Sequence, residues 1–307
     1  MDRRCETACA DFTSRCRKKR GMEISMRHVI VAGGGAAGMM AAIGAAGEGA
    51  RVTLLEKNEK TGKKIYITGK GRCNLTNSCD REDFFKSIVS NEKFFYSAFN
   101  RLDNQAVMEF FSRAGCRLKE ERGGRVFPLS DHSSDVIAAL NREMDRLGVK
   151  IRLHTQMTQV LREDSPARHV TGVRLTGGEV LKADAVILAT GGRSYEATGS
   201  TGDGYRLGRE MGHTLTEPRP ALVPFVVKEG WCAQMQGLSL KNVAVRLEKD
   251  KKKIYQGFGE MLFTHFGVSG PLILSAGSYY NKRFYGQKAQ LHIDLKPALS
   301  REQLDTR

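Results

Sequence analysis

The sequence predicts an α/β fold: a parallel-sheet domain with a β-meander, followed by a smaller β-rich domain that is incomplete. Two observations near the N-terminus predict the sheet. His28–Ala32 is a short apolar run, and the G-x-G-x-x-G pattern Gly33–Gly38 follows it directly, before an alanine-rich segment. Strand, glycine turn and helix in this order are typical of the Rossmann-type nucleotide-binding unit. Short strands separated by turns over residues 150–192 predict the meander.

Composition fits a soluble chain of one large or two modest domains, with 307 residues, 40% hydrophobic and 27% charged. The formal net charge is +15 at pH 7. Its two local runs, residues 15–20 and 249–253, contain no interleaved aromatic residues, so we expect no nucleic-acid partner. Seven cysteines without a C-x-x-C pair predict reduced thiols in the cytoplasm and no metal site.

The first 25 residues show no helical or alternating periodicity, which predicts a disordered leader or a start codon at Met22 or Met26. The uncharged stretch Val29–Gly47 resembles a membrane span. It contains six glycines, however, and glycine is a poor helix former. We therefore expect no membrane association.

The glycine pattern predicts where a dinucleotide binds. Gly33 permits a tight turn, Gly35 lets a diphosphate approach the backbone, and Gly38 lets helix and strand pack closely. Ala36 and Ala37 open the helix, whose first N–H groups are unpaired and attract anions.

A second strand, Arg51–Glu56, ends in an acid 18 residues after Gly38. A carboxylate at this position accepts hydrogen bonds from ribose hydroxyls and repels a 2′-phosphate, which favours FAD or NAD over NADP.

The β-meander favours FAD over NAD as the expected ligand. Its expected strands form β-hairpins, and a buried strand, Ala185–Ala189, then runs into Thr190, Gly191 and Gly192. Simple NAD dehydrogenases do not need this arrangement, so FAD is the better ligand. The expected meander strands are Lys150–His154, Gln156–Arg162, Val170–Leu175 and Val180–Lys182.

Five ordered motifs now identify a resemblance: Thr61–Asn77, Ala189–Gly192, Gly199–Tyr205, Ala221–Pro224 and Leu262–Pro271. Together they resemble the BaiN/RdsA-type NAD(P)/FAD-dependent oxidoreductases over about residues 26–307. Lys70 stands where many members have a small or amide residue. The resemblance implies that the first motif, expected to be a loop, and the turns at 190–191 and 202–203 approach FAD from two sides. The implied contacts are Lys64, Thr68, Gly69, Arg72, Cys73, Asn74, Thr190, Gly191, Gly202 and Asp203.

Several side chains have two interpretations. His265 is a candidate proton donor or a buried structural histidine. Cys73 is a redox group or a small packing residue. Asp203 orients a flavin or substrate hydroxyl, or caps the helix that starts near Tyr205. Arg72 contacts cofactor phosphates or an anionic substrate, or lies on a solvated loop.

By resemblance, the expected activity is hydride transfer from NAD(P)H, through FAD, to a small organic acceptor such as an enone. One alternative is a flavoprotein like fumarate reductase or succinate dehydrogenase. The other is an inactive truncated fragment. The family continues with a helical lid and a returning flavin strand, whereas this chain ends at Arg307. We therefore expect this chain to bind FAD weakly or not at all unless a partner supplies the remainder.

The expected organisation places the FAD-binding domain at 26–212, an incomplete β-rich substrate domain at 213–297, and the start of a helix, capped by Ser300, within 298–307. Helices are expected near Asp83–Ala114 and Ser133–Leu147, before the meander. The β-rich region contains three short apolar runs: Val223–Val227, Leu240–Leu247 and Gln290–Leu295.

Overall fold

The computed structural model describes residues 26–164 and 169–306. The predicted leader at 1–25 lies outside the described residues. The described residues divide into two compact units, and the first contains residues 26–75, Glu109–Glu120 and the described part of Val126–Thr214. The second unit contains Thr76–Met108, Glu121–Arg125 and the residues from Leu215 onward. The sequence-based division at residue 212 did not assign the two short segments to the second unit.

The first unit is built on a parallel four-stranded sheet: β1 His28–Ala32, β2 Arg51–Leu55, β6 Lys150–Arg152 and β10 Ala185–Leu188, in the order β10-β1-β2-β6. The two central strands, β1 and β2, are mostly apolar and buried, as strands covered on both faces are. The edge strands β6 and β10 are more exposed. Ile30, Val31 and Leu54 are fully buried. The predicted strands at 28–32 and 51–56 are confirmed.

Strand β6 corrects one prediction. The sequence placed Lys150–His154 in a hairpin, but Lys150 pairs with Thr53 and Arg152 with Leu55 in parallel register. Helix α6, Ser133–Arg146, comes before β6 and returns the chain to the same end of the sheet, as in a crossover connection. Local strand patterning does not distinguish a parallel from a hairpin partner.

The predicted β-meander is confirmed from the next strand onward. β7 Met157–Arg162, β8 Val170–Leu175 and β9 Val180–Lys182 pair antiparallel in that order. Their apolar faces join a buried core with the sheet, which fixes the meander beside it. This core contains Ile30, Ala32, Leu55, Met157, Val160, Val173, Leu175, Ala183 and Leu207.

The second unit holds a five-stranded antiparallel sheet in the order β11-β14-β13-β12-β15. Helix α9, Pro271–Phe284, packs on it through Leu272 and Ile273. Sequence patterning found β11, β12 and β15 but missed β13 and α9. Gly257 and Gly259 interrupt the apolar alternation of β13, which hides it. The strands are β11 Phe225–Val226, β12 Ser239–Lys249, β13 Lys252–Thr264, β14 Gly267–Ser269 and β15 Gln290–Asp294.

The remaining elements are short. The helical stretch expected at 83–114 is three helices, the first capped by the Asp80 carboxylate. The predicted cap at Ser300 is confirmed by a complete capping box with Gln303. Among the described residues, no helix combines the length and apolar character that crossing a bilayer requires. The other helices are α1 Ala36–Gly47, α2 Lys63–Ile67, α3 Arg81–Lys86, α4 Glu92–Arg101, α5 Asn104–Arg113, α7 Asp203–Glu210, α8 Trp231–Gln234 and α10 Arg301–Asp305, and the other strands are β3 Thr76–Asn77, β4 Leu118–Glu121 and β5 Arg125–Pro128.

Candidate cofactor-binding cleft

A cleft of about 520 Å³ opens in the first unit at the carboxyl ends of β1, β2 and β10. β1 lies between the other two strands, so the strand order reverses here, and doubly wound sheets bind ligands at this point. The volume is within the range of small-molecule sites. Its lining is Ala32–Ala37, Leu55–Asn58, Lys63–Ile65, Thr68, Thr155–Met157, Leu188–Gly191, Thr198–Ser200 and Asp203.

The three motif glycines have different surroundings. Gly33 has φ +108°, and a Cβ there would lie 2.4 Å from the Ala189 carbonyl oxygen. A Cβ on Gly38 would lie 1.7 Å from the Gly33 carbonyl oxygen. A Cβ on Gly35 would meet nothing within 4 Å. Gly33 and Gly38 are therefore required for packing, while Gly35 leaves open space at the cleft.

Helix α1 presents its N-terminus to this space. Gly35 is its N-cap, with no side-chain cap and no acidic residue in the first turn. The N–H of Met39 donates to the Gly35 carbonyl oxygen at 2.9 Å, so the amides of Ala36, Ala37 and Gly38 precede the first intrahelical bond. Ala36 and Ala37 line the cleft. This end of the helix suits an anion.

Glu56 follows β2 directly and is 7% exposed. Its Oε2 accepts a hydrogen bond from the Gly34 N–H at 2.7 Å. Its Oε1 accepts from the N–H and the Nδ2 of Asn58, at 2.8 and 2.7 Å. These donors hold the carboxylate at the cleft wall, and a carboxylate has about four acceptor positions, so it can accept one further hydrogen bond.

Two lysines bind the segment after β10 to the cleft. Lys57 Nζ lies 2.9 Å from Asp203 Oδ2 and 2.7 Å from Thr201 Oγ1. Lys64 Nζ donates to Ser200 Oγ at 2.6 Å, and burial lowers the pKa of Lys64. Lys57 was not predicted as a site residue, although it directly follows the strand-end acid Glu56, and this position could have indicated it.

Asp203 does not cap helix α7, which corrects one of its two interpretations. It is the first residue of the helix, its carboxylate faces Lys57, and Gly202 is the N-cap. Burial raises the pKa of Asp203, but the hydrogen bond from Lys57 and its charge outweigh burial, so the pKa lies below its usual value.

The segment Thr61–Asn77 is more ordered than the predicted loop. Helix α2 is followed by a 3-10 turn, Thr68–Gly71, in which Gly69 and Lys70 have left-handed φ values of 56° and 58°. Cys73 is 7% exposed with φ 59°, and burial raises the pKa of its thiol. A buried, protonated thiol fits the packing interpretation.

Arg72 belongs to an ion-pair network in the first unit. Its Nε and Nη2 donate to Asp131 Oδ1 at 2.8 and 2.6 Å, and its guanidinium lies 4.2 Å from the centre of the Phe127 ring. Lys119 Nζ lies 2.5 Å from Asp131 Oδ2. These contacts show that Arg72 is more than part of a solvated loop face.

The structure brings ten predicted site residues to the cleft: Gly33, Gly35, Ala36, Ala37, Glu56, Lys64, Thr68, Thr190, Gly191 and Asp203. Six others are not among its lining residues: Gly38, Gly69, Arg72, Cys73, Asn74 and Gly202. His265 belongs to the second unit, where it is exposed in the turn between β13 and β14. The interpretation of His265 as a buried histidine is therefore wrong. Among residues 26–164 and 169–306, no three His, Cys, Asp or Glu side chains form a group that could hold a metal ion.

Comparison with solved structures shows the fold. A 3-ketosteroid delta1-dehydrogenase from Sterolibacterium denitrificans matches with a TM-score of 0.50 and 16% identity, over 71% of this chain and 62% of that one.

Three curated relatives are similar in sequence. A 3-dehydro-bile acid delta(4,6)-reductase from Clostridium scindens is 34% identical over 91% of this chain. Ribosomal RNA dihydrouridine synthases from Haemophilus influenzae and Escherichia coli are 31% and 29% identical over 87% and 82% of it. The matches span 67%, 64% and 60% of those relatives' own lengths.

The model of the HI0933-like protein Rossmann domain matches residues 27–276. This match confirms the resemblance to the BaiN/RdsA type that the motifs predicted. The chain belongs to the HI0933-like family of flavoprotein oxidoreductases, which are enzymes with a Rossmann nucleotide-binding fold.

Proposed function

We propose that this chain forms the FAD-binding part of an oxidoreductase that reduces a carbon–carbon double bond conjugated to a carbonyl group, with NAD(P)H as the electron donor. The observation that carries the proposal is the cleft in which the open Gly35 backbone and the buried Glu56 carboxylate lie at adjacent strand ends. An adenine dinucleotide needs both features.

The residues of the cleft fit FAD. The amides of Gly35, Ala36 and Ala37 would hold the diphosphate, because the helix start is uncapped and free of acidic residues. Glu56 would accept a hydrogen bond from the adenosine ribose. Lys64, Thr68, Thr190 and Gly191 line the rest of the cleft. Bound FAD would supply two-electron chemistry, accepting a hydride from a nicotinamide and donating one to carbon.

The names of the curated relatives suggest one acceptor chemistry. A 3-dehydro-bile acid with delta(4,6) unsaturation contains a carbonyl conjugated to double bonds, and uridine carries a double bond conjugated to a ring carbonyl. Reduction of either substrate adds a hydride to the carbon remote from the carbonyl and a proton to the adjacent carbon. We therefore propose the conjugated C=C–C=O unit as the substrate class.

The proton requires an acid, and we propose His265. An imidazole ring can donate a proton, which suits a general acid. The His265 ring is exposed and stands perpendicular to the Phe266 ring at 4.8 Å between centroids. The proposal of His265 rests on the chemistry of its imidazole side chain and on its exposure to solvent. A His265→Gln variant should keep flavin reduction by NAD(P)H and slow flavin reoxidation by the enone.

The test has two stages. FAD is first titrated into the purified chain, followed by flavin fluorescence. NADH or NADPH is then added without oxygen, and bleaching of the flavin band is recorded before a steroid 4-en-3-one is supplied. Bleaching followed by recovery of the band and a saturated ketone product supports the proposal. Absence of FAD binding contradicts the cleft assignment. Turnover of fumarate with a reduced dye, and none of the enone, would contradict a ketone or ring-carbonyl substrate, because the double bond of fumarate is conjugated to carboxylates.

A further inference from the structure

One end of the second unit concentrates positive charge. The segments 249–253 and 279–288 contain seven lysines and arginines and one acidic residue, Asp250. Six of these cations are exposed. Lys282 donates to the Val89 carbonyl oxygen. The other five define what we call the basic end: Lys251, Lys252, Lys253, Arg283 and Lys288.

Sheet register brings these two segments together. Strand β12 pairs antiparallel with β13 and with β15, placing Lys249 opposite Lys252 and Glu248 opposite Gln290. The turn at 250–251 therefore lies beside the start of β15, which Lys288 precedes by two residues.

Helix α9 runs antiparallel to β13 and brings Arg283 to the same end. A Cβ on Gly270, at the start of the helix, would lie 2.9 Å from the Met261 Cα. Further along, the rings of Tyr279 and Tyr255 are 5.3 Å apart. The last turn of α9 thus lies next to the first residues of β13.

Among the described residues, the charges of the basic end are not neutralised by carboxylates. Asp250 pairs with Lys249 at 2.6 Å, and Glu248 pairs with Arg246 and His292. None of the five cations forms an ion pair with a carboxylate among the described residues. Clustered like charges repel each other and favour an anionic partner.

Exposed aromatic residues belong to the same segment, 279–288, as two of these cations. Tyr285 is 51% exposed and Tyr279 37% exposed, and the Arg219 guanidinium lies 5.7 Å from the centre of the Tyr285 ring. Cations that track phosphates, together with rings on which bases stack, are the two parts of a single-stranded nucleic-acid surface. The run 249–253 contains no aromatic residue, and the two rings come from α9 and from Tyr285 directly after it.

We propose that the basic end binds the phosphate backbone of RNA, contrary to the expectation from sequence. Names of two curated relatives point to an RNA rather than a membrane. The binding itself needs no flavin. That the bound RNA also supplies the base to be reduced rests on the proposed function.

The test measures fluorescence anisotropy of a labelled single-stranded RNA oligonucleotide titrated with the full chain at several salt concentrations. The variant carries Lys251→Gln, Lys252→Gln and Lys253→Gln. Its matched control carries Arg51→Gln, Lys182→Gln and Arg209→Gln, which remove the same charge from exposed positions of the first unit. Circular dichroism verifies that both fold.

We expect the basic-end variant to bind RNA at least tenfold more weakly than the parent. The slope of log K against log salt concentration should become less steep by about 2, because each lost phosphate contact on a single strand contributes about 0.7. The control should stay within threefold of the parent. Equal losses in both variants, or unchanged binding in the first, would overturn the proposal. Binding to anionic phospholipid vesicles without RNA binding would also overturn it. FAD binding is measured in a separate titration, so the RNA-binding result can be interpreted even if the flavin proposal fails.

Discussion

The carboxylate of Glu56 accepts a hydrogen bond from the backbone N–H of Gly34 at 2.7 Å, which ties the end of β2 to the glycine turn after β1. Glu56, predicted to bind the ribose, and the glycine turn, predicted to bind the diphosphate, are therefore connected by this hydrogen bond. Changes at Glu56 should affect both the order of the turn and the affinity for FAD.

Glu56→Ala should raise the dissociation constant for FAD by at least tenfold. The substitution removes the ribose acceptor and leaves the Gly34 N–H without its partner, which costs about 1–3 kcal/mol when the donor is buried. Fluorescence titration of FAD measures the change. Glu48→Gln, at the exposed far end of α1, is the control and should bind as the parent does. Unchanged FAD affinity in Glu56→Ala would remove Glu56 from the site.

Gly35→Ala and Gly38→Ala should separate binding from stability. A Cβ on Gly38 would lie 1.7 Å from a backbone oxygen, so this variant should lose more than about 3 kcal/mol or fail to fold. Gly35 has φ −81° and open space, so Gly35→Ala should change stability by less than about 1 kcal/mol while weakening FAD binding. Urea unfolding and FAD titration give the two readouts. Normal FAD affinity in Gly35→Ala would show that the diphosphate lies elsewhere.

Lys70→Asn should stabilise the protein by about 0.5–1 kcal/mol, because Lys70 has φ 58° and a left-handed conformation costs most residues about that much or more. Asparagine tolerates this region. The urea midpoint measures the gain. Lys70→Ala also removes the charge but lacks the short polar side chain that lets asparagine adopt this conformation, so it should show no gain. An equal gain in both variants would mean that charge, not the backbone, is the cause.

Asp203→Asn should destabilise the protein by about 1 kcal/mol at pH 7, in the range of exposed to half-buried ion pairs. The pKa of Asp203 is lowered in the folded state, so its contribution is present above the unfolded pKa of about 4 and is lost as pH falls through the folded pKa. The difference between parent and variant should therefore shrink in acid. Thermal melts from pH 7 to pH 3 measure it, and a Lys57→Met variant should abolish most of the effect of Asp203→Asn. A constant difference at all pH values would exclude the ion pair.

Short-range sequence signals predicted the parts of the cleft that depend on neighbouring residues. The order of strand, glycine turn, helix and strand-end acid was enough to place Gly33–Gly38 and Glu56, because parallel strands bring their carboxyl ends to one edge. The capping box at Ser300 was equally local.

Contacts between distant residues were not predictable in this way. The pairing of Lys57 with Asp203 joins residues 146 positions apart, and no local pattern indicates it. The parallel pairing of β6 required knowledge of the helix before it. Strand β13 was hidden because Gly257 and Gly259 break its alternation. The aromatic rings near the basic end come from helix α9 and from Tyr285 directly after it, and the sequence did not reveal this helix.

The Gly33 backbone lies between Gly38 on one side and Ala189 on the other, with room for no side chain at either contact. The loop can shift only if helix α1 or strand β10 moves with it. The backbone N–H groups of the loop are therefore already oriented before a nucleotide binds, and the loop has little conformational entropy to lose on binding. Affinity at this site should then be set by how well a ligand matches a rigid shape.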